Sequence, residues 1–205
     1  MAHLFWSFLN TFFNRGFSTI FAVILGHLLL PETLGYYVAL MLAVNYITSL
    51  GCIHTGGAIV YNLNRNKQSE RGPYFVAGWL MAMGIAVLVA GLAWGFQSQL
   101  ADLFNVSDKQ SFFVFILPLI FLKTNRLYLT KVLHADLRMK PEAIISFAAA
   151  FVQVSACFLL LLSGFRLAGA LAAVYCGDIV AVALMGWLSF RRFGFPFSHL
   201  IQPAK

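Results

Sequence analysis

Six long apolar stretches, separated by short polar segments, constrain this chain more than any other feature of its sequence. They lie at residues 7–30, 36–61, 74–97, 111–133, 141–163 and 167–190. Each can cross the hydrocarbon core of a bilayer, which takes about 20 residues of helix. Hydrophobic residues make up 60% of the 205 positions and charged residues 10%, which excludes a soluble globular protein. The sequence therefore predicts an all-α polytopic membrane protein with six transmembrane helices and short loops.

Basic residues between the stretches predict the orientation of the chain. Two of the 14 lysines and arginines, Lys109 and Arg166, fall on one predicted side. Nine fall on the other side: Arg65, Lys67, Arg71, Lys131, Arg138, Lys140, Arg191, Arg192 and Lys205. By the positive-inside rule the richer side is cytoplasmic, and so are both termini. Because this bias accounts for most of the net charge of +7, no nucleic-acid partner is predicted.

The fourth stretch carries two cations where lipid is expected. Lys123 and Arg126 precede Thr130 and His134 at helical spacing, so all four side chains share one face. A charge in the middle of a membrane helix costs about 2.5–3.5 kcal/mol on insertion scales, so such residues indicate function. We interpret this face as the cationic wall of an aqueous cavity. The alternative is that both side chains extend to the cytoplasmic headgroups.

The first stretch offers a matching polar surface. Polar and small residues form a stripe along it at steps of three and four: Thr11, Asn14, Arg15, Ser18, Ala22 and Gly26. We interpret Asn14 and Arg15 as substrate-binding candidates beside the fourth helix. The alternative is helix packing through the small residues, with Arg15 reaching the headgroups.

Asp178 is the acidic residue deep in a predicted span, and Gln153 is a single amide among alanines. Asp178 is interpreted as a coupling-ion site or as the partner of a cavity cation, with a plain structural ion pair as the alternative. Gln153 predicts an interhelical hydrogen bond. With Arg15, Lys123 and Arg126 against Asp178, the interior charge is +2, which favours an anionic solute; arginine and lysine commonly bind phosphate.

Motifs of known enzymes are missing from the sequence. It has no metalloprotease, phosphate-binding-loop or nucleophile-elbow motif and no cysteine cluster, so no enzyme, metal site or cofactor is predicted. The acidic residues other than Asp178 fall in predicted loops. Asp136 and Glu142, which alternate with Arg138 and Lys140, are expected in a solvated loop whose charges neutralise one another.

Three segments carry a resemblance to a family. Residues 14–18 lead into 29–37 (LLPETLGYY), similar to a passage between the first two helices of bacterial polysaccharide flippases. Residues 133–141 (LHADLRMKP) resemble the short basic loop between helices four and five, and the small-residue sixth helix begins at 168–171 (AGAL). The chain thus resembles the amino-terminal lobe of these members of the multidrug/oligosaccharidyl-lipid/polysaccharide exporter superfamily.

The resemblance implies a transporter that moves an anionic lipid-linked oligosaccharide, carried on undecaprenyl pyrophosphate, across the bacterial inner membrane by alternating access. It implies that Arg15, Lys123 and Arg126 meet the pyrophosphate, and it makes Asp178 a candidate for cation or proton coupling. Residues 1–192 would form one six-helix lobe, and 193–205 a cytoplasmic tail or truncated lead-in to a seventh helix. Because the family has two lobes, a second lobe or copy is an expected partner. The alternatives are a nonenzymatic membrane scaffold, an inactive truncated flippase or a drug exporter.

Overall fold

The computed structural model describes residues 2–52, 55–65, 71–96, 98–99, 102, 113–136 and 138–193, and seven α-helices contain most of them. The helices are α1 (Ala2–Leu28), α2 (Pro31–Cys52), α3 (Thr55–Arg65), α4 (Arg71–Gly95), α5 (Phe113–Ala135), α6 (Met139–Leu162) and α7 (Arg166–Phe193). No strand occurs within these ranges. The prediction of an all-α chain is confirmed for this part.

Four of these helices are long and apolar enough to cross a membrane: residues Phe5–Leu28 of α1, and α4, α6 and α7. Large apolar side chains on their surfaces are exposed, such as Leu88 on α4 and Leu159 on α6. A soluble monomer rarely leaves so much apolar surface uncovered, whereas lipid covers it favourably. The protein therefore has the character of a membrane-embedded helical protein.

The helix bounds depart from the predicted stretches in the second one. α2 begins at Pro31 and not near residue 36, since proline lacks the N–H that the first helical turn leaves unpaired and its φ suits that position. The stretch 36–61 then contains two helices, α2 and α3. Residues 53–54 between them, the tail 194–205 and most of the predicted loop 98–110 lie outside the described residues.

The turn between α6 and α7 follows from a glycine. Gly164 has φ 85°, a left-handed conformation that costs glycine little. The Gly164 N–H donates to the Leu161 carbonyl over 3.0 Å, and the Phe165 N–H to the Leu160 carbonyl over 3.1 Å. This pair of bonds is the Schellman motif, which satisfies the last carbonyls of a helix. It lets α7 begin at Arg166 and return along α6.

Two apolar clusters form the core, with a polar layer between them along α5 and α7. The first cluster includes Leu119 and Ile120 of α5 with Val174 of α7. The second includes Tyr128 of α5 and Met185 of α7. Along both helices, the residues between these clusters include buried polar side chains: Thr124, Asn125 and Asp178. The layer lies about half-way along α5, about 17 Å from its start at 1.5 Å per residue.

Gly177 sets how closely α6 and α7 approach beside this layer. A Cβ at that position would lie 2.8 Å from the Gln153 Cβ and 3.1 Å from the Ala149 carbonyl oxygen. A Cβ atom and a backbone oxygen cannot move aside without moving the helix. We therefore expect Gly177→Ala to lower the free energy of unfolding by about 1–3 kcal/mol. Gly84→Ala is the matched control, since a Cβ there would meet nothing within 4 Å. Equal thermal stability of the two variants in detergent would contradict this packing.

Candidate functional site

An ion pair between α5 and α7 lies at the centre of the polar layer. Nη1 of Arg126 donates a hydrogen bond to Oδ1 of Asp178 over 2.6 Å. Asp178 is 1% exposed, and its Oδ2 has no hydrogen-bond partner among the described residues. A carboxylate removed from water is costly unless a cation lies beside it. The structure thus pairs Asp178 with Arg126, one of the two cations of the predicted cavity wall.

A cavity of about 380 Å³, here called the larger cavity, lies beside this pair and between α2, α5 and α7. Three of the four residues predicted to share a face of α5, Lys123, Arg126 and Thr130, line it. The other lining residues are Asn45, Thr48, Ser49, Leu127 and Asp178. The wall is therefore a mixture of cations, hydroxyl groups and an amide around one carboxylate.

Lys123 is the cation of this cavity without a close partner. Among the described residues its ammonium makes no hydrogen bond or salt bridge. Lys123, Arg126 and Asp178 all line this one cavity, so the three charged side chains form one cluster. Lys123 and Arg126 against Asp178 leave the larger cavity with a formal charge of +1 if all three are ionised. This is less than the predicted +2, because Arg15 does not belong to the cavity.

A second cavity of about 180 Å³, here called the smaller cavity, lies between α1, α5 and α6. It is lined by Asn14, Phe17, Ser18, Phe21, Arg126, Ala150, Gln153 and Val154. Arg126 lines both cavities, so both lie beside its side chain. The structure brings Asn14, Lys123, Arg126 and Asp178 together around this one guanidinium.

Arg15 has a different position from the other candidates. It is exposed on α1 and lines neither cavity. Neighbouring helical residues point about 100° apart, so Asn14 can face the smaller cavity while Arg15 faces away from it. Ser18, from the same predicted stripe, does line that cavity although it is exposed overall. The predicted stripe of α1 is therefore divided between the inside and the outside of the bundle.

Gln153 lines the smaller cavity although the sequence predicted an interhelical hydrogen bond for it, and three residues of α2 line the larger cavity. The predicted interhelical hydrogen bond of Gln153 is absent: its amide makes no hydrogen bond to a described residue and lines the smaller cavity. Asn45, Thr48 and Ser49 line the larger one. Their helical spacing is visible in the sequence, but α2 alone does not reveal that α5 and α7 place a cavity against it.

Glu142 contradicts its predicted position in a solvated loop. It lies in the first turn of α6 and is 4% exposed. Its Oε1 accepts a hydrogen bond from Nδ2 of Asn10 over 3.1 Å, and its Oε2 lies 2.7 Å from Nε2 of His134. Asn10 Oδ1 in turn accepts from Nδ2 of Asn14 over 2.7 Å. The carboxylate is buried because α1 and α5 cover the start of α6 with polar groups that satisfy both of its oxygens.

Asp136 groups three arginines at one end of the bundle. Arg138 Nε lies 2.8 Å from its Oδ2, Arg192 Nε lies 3.6 Å from the same oxygen, and Arg71 Nη1 lies 3.7 Å from Oδ1. The Asp136 side chain is only 10% exposed. Acidic and basic residues are mixed here as expected. Their ion pairs, however, join the start of α4 and the end of α7 to the turn after α5.

Comparison with models of protein families, with curated proteins and with solved structures found no significant match to this chain.

Proposed function

We propose that this chain is one lobe of a membrane transporter for an anionic solute, of the kind that its sequence resembles: a polysaccharide flippase of the bacterial inner membrane. In this proposal residues 1–192 form six spans with both termini in the cytoplasm, and α2 and α3 together make the second span. The solute is an oligosaccharide linked to lipid pyrophosphate. A second lobe or a second copy completes the pathway, because alternating access needs two bodies around one site.

The position of Lys123 supports this proposal more than any other observation. Its charge lies in the polar layer, lines a cavity of about 380 Å³ and makes no hydrogen bond to a described residue. An ammonium without a hydrogen-bonding partner is costly at membrane depth, and a helix with only a structural role would gain nothing from it. A phosphate group beside Lys123 and Arg126 would receive charge-assisted hydrogen bonds, which are about twice as strong as neutral ones.

A nonenzymatic scaffold or an inactive remnant of a flippase is the second candidate. The observation in its favour is the Arg126–Asp178 pair, because a cation already bound to a buried carboxylate also serves as a structural bond between α5 and α7. In that case Lys123 would be the one cation of the larger cavity that could bind a ligand. The two candidates therefore differ in what removal of Lys123 does.

We expect Lys123→Ala to weaken binding of a polyprenyl-pyrophosphate sugar by about tenfold or more, since a hydrogen bond to a charged group contributes about 1.5–3 kcal/mol. Binding is measured on the full chain in nanodiscs of zwitterionic lipid. Lys131→Ala is the matched control, because Lys131 is an exposed lysine of the same helix that lines neither cavity.

Equal affinities of Lys123→Ala and the unmodified chain would contradict the proposed site. A flip assay in proteoliposomes then separates the two candidates. A transporter moves labelled lipid-linked sugar between leaflets at a rate that Lys123→Ala lowers. A scaffold leaves the rate equal to that of empty liposomes.

A further inference from the structure

The smaller cavity differs in chemistry from the larger one, although Arg126 belongs to both. Apart from Arg126, its polar lining consists of the uncharged side chains Asn14, Ser18 and Gln153. Phe17 and Phe21 supply two aromatic walls. The larger cavity instead contains Lys123 and Asp178. Neutral and charged surfaces thus meet at one guanidinium.

Gln153 has hydrogen-bonding capacity that the described protein does not use. Its amide makes no hydrogen bond to a described residue, yet it lies within α6, one of the helices apolar enough to cross a membrane. Its side chain lies against Gly177, where a Cβ would come within 3.1 Å of Gln153 Oε1. An amide at this depth offers two donors and an acceptor to whatever enters the cavity.

Asn14 complements Gln153 across the cavity. Its Nδ2 donates to the carbonyl oxygen of Asn10 over 2.9 Å and to Asn10 Oδ1 over 2.7 Å. The nitrogen is therefore occupied within α1, while Oδ1 makes no bond to a described residue. Together with the Ser18 hydroxyl, these groups suit a ligand rich in hydroxyl groups, which both donate and accept.

We propose that the smaller cavity is a neutral subsite for the hydroxyl-bearing part of a solute whose phosphate lies against Lys123 and Arg126, with Gln153 as a specificity-determining residue. This rests on the proposed function. A volume of about 180 Å³ equals the share of about six water molecules, which is enough space for one six-membered sugar ring. The C–H faces of such a ring pack against aromatic side chains such as Phe17 and Phe21.

The test compares three probes on the full chain in nanodiscs of zwitterionic lipid: inorganic phosphate, glycerol 3-phosphate and glucose 1-phosphate. We expect glucose 1-phosphate to bind about tenfold more tightly than phosphate, because its hydroxyl groups gain about two further hydrogen bonds. Gln153→Met keeps the packing against Gly177 but removes the amide. This variant should bind glucose 1-phosphate only as tightly as it binds phosphate, and its affinity for phosphate should equal that of the unmodified chain. Asn64→Ala, an exposed amide on α3, is the control.

A merely structural role of Gln153 would lower the affinity for all three probes by the same factor, and that result would overturn the subsite. Equal affinity of the unmodified chain for phosphate and glucose 1-phosphate would also overturn it, while Lys123-dependent phosphate binding would leave the proposed function intact. If no probe binds, both proposals fail together. Preference for glycerol 3-phosphate over glucose 1-phosphate would support the subsite and assign it to a lipid headgroup.

Discussion

Replacing Asp178 by alanine is expected to lower the free energy of unfolding by about 3–5 kcal/mol, the usual cost of removing one partner of a buried ion pair. Asp178 is almost fully buried, and the Arg126 side chain is 26% exposed. Without the carboxylate, Arg126 and Lys123 would face one another with no compensating charge. The expected readout is a fall of at least about 6 °C in melting temperature in detergent.

Glu32→Ala is the control for this experiment. Glu32 is an exposed carboxylate in the first turn of α2, and it makes no hydrogen bond or salt bridge to a described residue. We expect a change within about 0.5 kcal/mol for that variant. The double variant Arg126→Leu with Asp178→Leu should recover most of the stability, because apolar residues commonly replace buried ion pairs without loss. A melting temperature of Asp178→Ala equal to that of the control would show that the pair contributes little.

Replacing Glu142 by alanine is expected to cost about 2–3 kcal/mol and to loosen α1. Removal of the carboxylate leaves the Asn10 amide without its acceptor and His134 without its partner; both groups are partly buried, and an unsatisfied polar group costs about 1–3 kcal/mol where it is buried. α1 packs mainly against α6, so loss of the Asn10–Glu142 bond affects its main attachment. Hydrogen exchange at the α1 amides should rise more than exchange in α4.

Glu142→Gln tests whether the charge itself matters. The glutamine carbonyl can accept from Asn10, and its amide can donate to a neutral His134, so both bonds are kept. We expect this variant to retain most of the stability that alanine loses. Unchanged exchange of α1 in Glu142→Ala would mean that the aromatic contacts of Phe13 and Phe17 with Phe147 hold α1 without the polar chain.

The helical segments were predictable from the sequence because apolar content and length act locally. The predicted stretches correspond to helices throughout the described part, and the departures at Pro31 and between α2 and α3 reflect local backbone chemistry. The shared face of Lys123, Arg126 and Thr130 was predictable for the same reason, since helical spacing alone defines it. All three do line one cavity.

The errors concern which helix covers which face. Helical spacing put Asn14 and Arg15 in one stripe but did not reveal that α6 and α5 would enclose only the Asn14 side. The alternation of acidic and basic residues placed Glu142 in a solvated loop, because that local pattern does not reveal that Asn10 of α1 and His134 of α5 cover it. Gln153 was expected to bond to another helix, but Gly177 of α7, which lies against it, has no side chain to receive the bond. Such contacts depend on tertiary packing and leave no local signal.

The separation of Arg126 and Asp178 in the chain also matters for biosynthesis. The two residues are 52 positions apart, and the cations of α5 are synthesised first. At about 5–20 residues per second, the ribosome needs about 3–10 s to produce Asp178 after Arg126. During this interval Lys123 and Arg126 have no carboxylate from α7, so α5 is poorly suited to enter lipid by itself. We therefore expect α5 to remain beside the insertion machinery until α6 and α7 emerge, so that the three helices enter the bilayer together.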